Sequence, residues 1–184
     1  TQEFGQLVVG RAPLHFGLGA WFNSGRGNFD HYLSTLDMVS YKIVTGNLFI
    51  MPILGKVNEG SLDQEDDVND YMVHAQYDNP ETELSIGLLY QARNAGKNDI
   101  VTGNDYVGGV GSTVIGGYKH SYIGIFSSQK LKDVTVAVEA GILSGDTGVR
   151  TAGGTDVKLN AFGLAAEVAW KPEASKWSSV VKAG

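Results

Sequence analysis

Charged and polar side chains recur at alternate positions within apolar stretches of this 184-residue chain, and these are the residues best placed for chemistry. Successive side chains of a β-strand point to opposite faces. The charged and polar residues therefore lie together on one face, and the apolar residues lie on the other. Charges that line a water-filled interior set which ions and solutes pass. The candidate pore-lining residues are Arg11, His15, Lys42, His74, Glu83, Gln91, Arg93, Glu139 and Glu167. The alternative is that these side chains pair with one another and merely fill a narrow barrel.

Catalytic and metal-binding patterns are weak. The four histidines form no HExxH motif, and no GxSxG nucleophile motif is present. The acidic loop at 58–70 offers Asp63, Glu65 and Asp67 as a weak candidate metal site, but its spacing departs from the EF-hand and favours a solvated surface loop. We therefore predict no cofactor, no resident metal and no enzymatic activity.

Composition narrows the class of protein. The net charge of −6 and the pI near 5.1 argue against a nucleic-acid partner. The chain has no cysteine, so neither disulfides nor thiol chemistry are available. It has 25 glycines but only 4 prolines, which disfavours helices without suggesting a disordered linker. No run of apolar residues is long enough for a transmembrane helix.

The connections between apolar stretches alternate between short and long. Compact turns are predicted at 45–47, 78–81, 128–132 and 171–176, and long polar loops at 23–35, 58–70, 94–110 and 145–156. Short turns at one edge and long loops at the other are typical of an antiparallel up-and-down transmembrane β-barrel. A soluble β-sandwich has no reason to sort its loops in this way.

Period-two alternation predicts eight strands and the start of a ninth. The clearest are 71–77, 82–93, 133–143 and 158–170, joined by 36–44, 48–57 and 112–127. Residues 5–22 are predicted to form one long strand. Its outward residues would be Val8, Ala12, Leu14, Phe16, Leu18, Ala20 and Phe22, with Arg11, His15, Gly17, Gly19 and Trp21 inward. The stretch 48–57 is apolar on both faces, so its orientation stays open.

Aromatic residues lie near the predicted strand ends. Tryptophan and tyrosine prefer the membrane–water interface because one side of the ring is apolar and the other is hydrated. The predicted aromatic girdle consists of Phe22, Tyr71, Tyr77, Tyr90, Trp170 and Trp177. This placement favours lipid contact over the core of a soluble sandwich.

Two segments carry a resemblance to a known family. Residues 10–19 read GRAPLHFGLG, and residues 139–148 form a strand that ends in LSGDTG. These resemble porin-type outer-membrane β-barrel proteins of deltaproteobacteria and predatory Bdellovibrio-like bacteria. The resemblance covers most of the chain and implies fold and location more than activity. Such proteins are longer, so we expect residues 1–184 to be one barrel domain, incomplete at one or both ends, that forms a segment of a larger barrel.

The sequence therefore predicts a porin-like protein of the Gram-negative outer membrane that allows passive diffusion of small hydrophilic solutes. Its expected partners are membrane lipid and lipopolysaccharide, and a second copy of the chain or another envelope protein remains an option. One alternative is a structural or interaction barrel whose external loops bind a partner. A second alternative is a soluble, lipocalin-like ligand-binding barrel.

Overall fold

The computed structural model describes residues 5–25, 33–58, 68–95, 112–172 and 179–183. These residues form strands and connections, with no helix among them. The strands are β1 (Gly5–Pro13), β2 (Thr35–Thr45), β3 (Leu48–Asn58), β4 (Val68–Asn79), β5 (Leu84–Ala95), β6 (Thr113–Val114), β7 (Lys119–Leu131), β8 (Val134–Arg150), β9 (Asp156–Trp170) and β10 (Ser179–Ala183).

All strands belong to one antiparallel sheet in which neighbours in sequence are neighbours in space. The order is β1-β2-β3-β4-β5-β7-β8-β9-β10, and the two-residue β6 pairs with β8 off this path. Eight long strands therefore follow one another up and down, and the short β10 is the ninth, which confirms the predicted all-β, up-and-down antiparallel architecture. Among the described residues β1 pairs only with β2 and β10 only with β9, so these two strands are the edges of the sheet.

The turns that join the strands at one end are short. Gly46 and Asn47 link β2 to β3, and Lys132 and Asp133 link β7 to β8. At the other end, the connection between β8 and β9 covers only residues 151–155, because β8 continues to Arg150. The predicted long loop at 145–156 is therefore wrong in extent. The loops predicted at 58–70 and 94–110 lie for the most part outside the described residues.

The sheet has one exposed apolar face and one face that packs inward. On β5, Ile86, Leu88 and Tyr90 are exposed, whereas Leu89 and Gln91, at the alternate positions, are fully buried. The same alternation runs through β2, β4, β7 and β8. It also settles the stretch 48–57, since Ile53 is buried and Ile50 and Leu54 are exposed. We call the exposed side the outer face and the other the inner face.

The predicted strand over 5–22 ends at Pro13, and the chain then turns inward. Proline has no N–H to continue the ladder, and Gly17 and Gly19 adopt positive φ angles of 55° and 83° that break the extended geometry. We call residues 14–25 the inward segment. Leu14, Phe16 and Phe22, which were predicted to face outward, are buried in the core. Burial of these large apolar side chains stabilises the packing of the inward segment against the inner face.

Candidate functional site

The inward segment lies against the inner face and is the centre of the hydrophobic core. Its buried residues Leu14, Phe16 and Phe22 pack in one cluster with Leu36, Met38, Ile53, Met72, Leu89 and Tyr122, which come from β2, β3, β4, β5 and β7. The Phe16 ring meets the Phe126 ring edge-on at 6.5 Å between centroids. One short segment therefore contacts the inner side chains of five consecutive strands of the path.

Backbone amides of the inward segment bind the carboxylate of Glu139 on β8. The Oε2 atom accepts hydrogen bonds from the N–H groups of Leu18 at 2.7 Å and Ala20 at 3.2 Å. Successive N–H groups that converge in a turn with left-handed residues form a concave site for an anion. Gly17 and Gly19 allow the backbone to adopt the left-handed conformations of this turn. A Cβ at Gly17 would lie 2.8 Å from Oε2. Glu139 is only 1% exposed, so this bond is shielded from water.

A second anchor joins the inward segment to β5 and β4 through a chain of polar side chains. The indole Nε1 of Trp21 donates to Gln91 Oε1 at 3.1 Å, and Gln91 Nε2 donates to Asp70 Oδ1 at 2.9 Å. Arg93 donates to both oxygens of Asp70, at 2.7 and 2.6 Å. A bidentate guanidinium–carboxylate pair fixes both groups in orientation as well as distance. The network therefore holds Trp21 in one position.

The ring of Tyr122 on β7 packs against Trp21 and completes its binding pocket. The two rings stack with 4.7 Å between centroids and an angle of 11° between their planes. Space for Tyr122 is left by Gly124 and Gly141, since a Cβ at Gly124 would lie 2.7 Å from the tyrosine hydroxyl. The small residues of the inner face thus accommodate the aromatic side chains of the packed interior.

Two buried histidines flank the aromatic anchors of the inward segment. His74 lies edge-on between Phe16, at 5.3 Å between centroids, and Phe49, at 4.9 Å. His120 lies against Trp21 at 6.3 Å and Tyr118 at 5.0 Å. Among the described residues, neither histidine has a hydrogen-bond partner at a ring nitrogen.

The other predicted pore-lining residues are not brought together. Arg11 lies on the outer face, where it forms an exposed bidentate pair with Asp37, so its predicted inward orientation is wrong. The reason is register: Arg11 pairs with Asp37, which lies two residues before Val39 on β2 and therefore shares its outer face. Glu83 lies in the turn before β5 and forms an exposed ion pair with Lys130 at the turn end of the sheet.

Three predicted residues have other surroundings. Lys42 is half-buried with its ammonium 3.9 Å from the centre of the Phe49 ring. His15 belongs to the inward segment rather than to a strand, and its ring Nε2 is hydrogen-bonded to the backbone carbonyl oxygen of Gly17 at 3.1 Å. Glu167 is half-buried and opposite Ala137 of β8, whose side chain is buried.

The predicted aromatic girdle is divided by the structure. Tyr71, Tyr77, Tyr90 and Trp170 are exposed on the outer face. Phe22 is buried inside, so its assignment to the girdle is wrong, and Trp177 lies outside the described residues. The candidate metal residues Asp63, Glu65 and Asp67 also lie outside them. Within the described ranges, no three His, Asp or Glu side chains form a metal-binding group.

Ion pairs sit at the loop ends of β8 and β9. Arg150 pairs with Asp156 at 2.7 Å, and Lys158 pairs with Asp146. The hydrogen bond from Arg150 lowers the pKa of the exposed Asp156 carboxyl from its usual value.

The inner face of β9 is lined by small side chains and is less filled than that of β2 to β7. Ala161 and Gly163 are exposed, unlike the buried Leu89 or Tyr122 on other strands. A cavity of about 130 Å³ remains there between Trp21, Tyr122 and the strands β8 and β9. Space is therefore left in the part of the interior beside β9.

Sequence reasoning missed the inward segment, although a signal was present. Pro13 followed by glycines at 17 and 19 is a poor continuation of a strand. The residues that receive the segment, Glu139 and Gln91, were identified as inward-facing but not as its anchors.

The sequence matches no known family model and no curated protein. Among the described residues, no helix is long and apolar enough to cross a membrane.

Proposed function

We propose that this chain is a porin-like protein of the Gram-negative outer membrane, through which small hydrophilic solutes diffuse passively. The observation that carries the proposal is the outer face of the sheet. Alternate residues there are large and apolar from β1 to β9, and they include Val39, Tyr41, Ile43, Ile50, Leu54, Tyr71, Val73, Ile86, Leu88, Tyr90, Ile123, Ile125, Val136, Val138, Ile142, Phe162, Leu164, Val168 and Trp170.

A continuous apolar surface of this size needs an apolar environment. Monomeric soluble proteins rarely expose an apolar patch beyond a few hundred Å². On β9 the outer residues run from Phe162 to Trp170 without a charge. At about 3.4 Å per residue this stretch is about 27 Å long, or about 21 Å tall at a strand tilt of about 40°. That height approaches the apolar band of outer-membrane barrels, about 25 Å.

Ion pairs at the strand ends support the same assignment. Arg11–Asp37 and Lys158–Asp146 lie toward the loop end of the sheet, and Lys130–Glu83 lies at the turn end. Charged groups belong in the headgroup regions rather than in the hydrocarbon, because desolvating them is costly. The apolar band is therefore bounded by charged side chains on both sides.

The edges of the sheet bear on the size of the barrel. An unpaired strand edge leaves N–H and C=O groups unsatisfied in lipid, so spanning barrels are closed. Because β1 and β10 are the unpaired edges of the described sheet, we propose that further strands, such as those of a second copy of the chain, pair with these edges and complete a larger closed barrel. In that barrel the inward segment narrows the lumen, and solutes pass on the side of β9.

A structural or interaction barrel is the second candidate, and the filled interior favours it. Phe16, Leu89 and Gln91 are almost completely buried, so the half of the interior beneath the inward segment is packed like a core. A lumen packed throughout in this way would carry no solute. The soluble lipocalin-like alternative fits less well, because it requires a polar outer face.

Conductance separates these candidates. We expect the chain, refolded from denaturant into phosphatidylcholine vesicles and fused with a planar bilayer, to give discrete current steps in potassium chloride. Folding without any current would leave the structural barrel as the better account. Stable folding in buffer without detergent or lipid would contradict both membrane proposals and favour the soluble barrel.

A further inference from the structure

The two buried histidines are placed where their protonation would act on the inward segment. Each contacts one of the two aromatic side chains that seat the segment: His74 meets Phe16, and His120 meets Trp21. Neither imidazole has a hydrogen-bond partner at a ring nitrogen within the part of the chain that the structure describes. A neutral imidazole tolerates such surroundings better than an imidazolium, which needs acceptors or water for both N–H groups.

The groups around His74 give an imidazolium little support. From β2 it faces Lys42, and from the inward segment His15, and both oppose a positive charge. Asp78 on the same strand is the nearby acid, but its oxygens already accept bonds from Gln76 and Ser85. Gln76 on the same strand would favour a charge as well, but its amide nitrogen already binds Asp78 and Ser85. The rings of Phe16 and Phe49 lie against the imidazole.

The surroundings of His120 follow the same pattern. Arg93 of β5 opposes a second positive charge there. Asp70 of β4 would favour one, but it is held by both Arg93 and Gln91. The rings of Trp21 and Tyr118 cover the imidazole. Charging either histidine in place therefore puts a cation among aromatic rings beside an existing cation.

We propose that His74 and His120 are a proton-sensitive pair that releases the inward segment from the inner face in acid and so widens the lumen. This inference rests on the proposed function, since release matters for transport only if the barrel conducts. Released imidazoles meet water and bind protons as free histidine does, near pH 6.5. Because protons then bind the released form more tightly than the packed form, lowering the pH shifts the population toward release.

Fluorescence of Trp21 reports release without reference to conduction. The chain has three tryptophans, so Trp170→Phe and Trp177→Phe together leave Trp21 as the only indole. In the full chain folded in phosphatidylcholine vesicles, we expect acrylamide quenching of Trp21 to rise about twofold or more between about pH 7.5 and about pH 5, the range in which imidazoles titrate. The rise should reverse when neutral pH is restored.

Replacement of the two histidines tests their role. In the same background, His74→Phe with His120→Phe keeps aromatic packing without a titrating group, and we expect quenching to stay at the neutral-pH value. Glu81→Gln, which removes an exposed acidic group in the turn between β4 and β5, is the matched control and should keep the wild-type response. Should the phenylalanine variant fail to fold, His74→Gln with His120→Gln provides the same comparison.

The outcomes separate this proposal from the porin proposal. No change in quenching with pH in the parent background overturns the proton-sensitive pair. An unchanged acid response in the double histidine variants also overturns it, and assigns the response to another group such as Glu139. If quenching responds as expected but no current appears at any pH, the histidine pair stands and the porin proposal fails. If current appears but quenching does not change with pH, the porin proposal stands and the proton-sensitive pair is overturned.

Discussion

The carboxylate of Glu139 on β8 accepts a 2.7 Å hydrogen bond from the backbone N–H of Leu18, a residue 121 positions earlier in the chain. This bond joins the turn built by Gly17 and Gly19 to a strand at the far side of the sheet. It unites the two segments that distinguish the sequence, GRAPLHFGLG and EAGILSGDTG. Glu139 thus holds the inward segment in place. The prediction that its carboxylate faces the water of a pore and sets ion selectivity is wrong, because the side chain is buried.

We predict that Glu139→Ala destabilises the folded protein. Hydrogen bonds to a charged group contribute about 1.5–3 kcal/mol each, and the N–H groups left behind would be buried. Equilibrium refolding in urea and lipid vesicles measures the change, with Glu83→Ala, an exposed residue of a turn, as the control. Equal stability of the two variants would show that the carboxylate does not anchor the segment.

The turn glycines provide a second prediction. Gly17→Ala and Gly19→Ala each force a residue with a Cβ into a left-handed conformation, which costs about 1–2 kcal/mol. The new Cβ would also meet a neighbour too closely in both variants, at 2.8 Å from Glu139 Oε2 for Gly17 and at 2.7 Å from Asn23 Nδ2 for Gly19, so we expect similar losses. Gly153→Ala, with nothing nearer than 3.9 Å, should leave the free energy of unfolding unchanged. Equal changes in the free energy of unfolding for all three variants would contradict the role of Gly17 and Gly19 in the turn.

The lipid-facing assignment of the outer face is tested on a single strand. Leu88 and Asn94 both lie on the outer face of β5, Leu88 at mid-strand with 48% exposure and Asn94 at the loop end. We predict that Leu88→Arg lowers the stability in vesicles by about 2–4 kcal/mol, whereas Asn94→Arg costs about 0–1 kcal/mol. In a soluble barrel, arginine at either exposed position would be tolerated. Similar values at both positions would therefore contradict the membrane assignment.

In outer-membrane barrels the short turns face the periplasm and the opposite connections face the outside, and we propose the same orientation for this sheet. Because the natural chain has no cysteine, a single introduced thiol can be labelled selectively. A cysteine at Gly153, in the exposed connection between β8 and β9, should react with an impermeant maleimide on intact cells. A cysteine at Glu81, in the turn between β4 and β5, should react only after the outer membrane is opened. The reverse pattern would invert the proposed orientation.

The alternation of single strands was predictable from sequence because it depends only on local geometry. Side chains two residues apart share a face in any strand, so Leu88 and Tyr90 were separated correctly from Leu89 and Gln91. The short turns and the up-and-down order followed from the same local pattern, since antiparallel neighbours need only a tight connection.

The inward segment was decided by tertiary structure alone. Residues 14–22 alternate as well as a strand does, so Leu14 and Phe16 fitted an outer face as long as their neighbours were unknown. Their burial depends on partners that are distant in sequence, such as Glu139 for Leu18 and Gln91 for Trp21. No local pattern encodes a hydrogen bond between residues so far apart.

Register was the other property that sequence left open. Alternation determines which side chains share a face, but it does not say which face is the outer one when both are apolar, as in residues 48–57. Pairing of β1 with β2 placed Arg11 beside Asp37 on the outer face, and pairing of β3 with its neighbours buried Ile53. The sequence by itself therefore determined most of the strands and their order. Only the packed sheet decided what lies inside it, because burial is a property of the partners that surround a side chain.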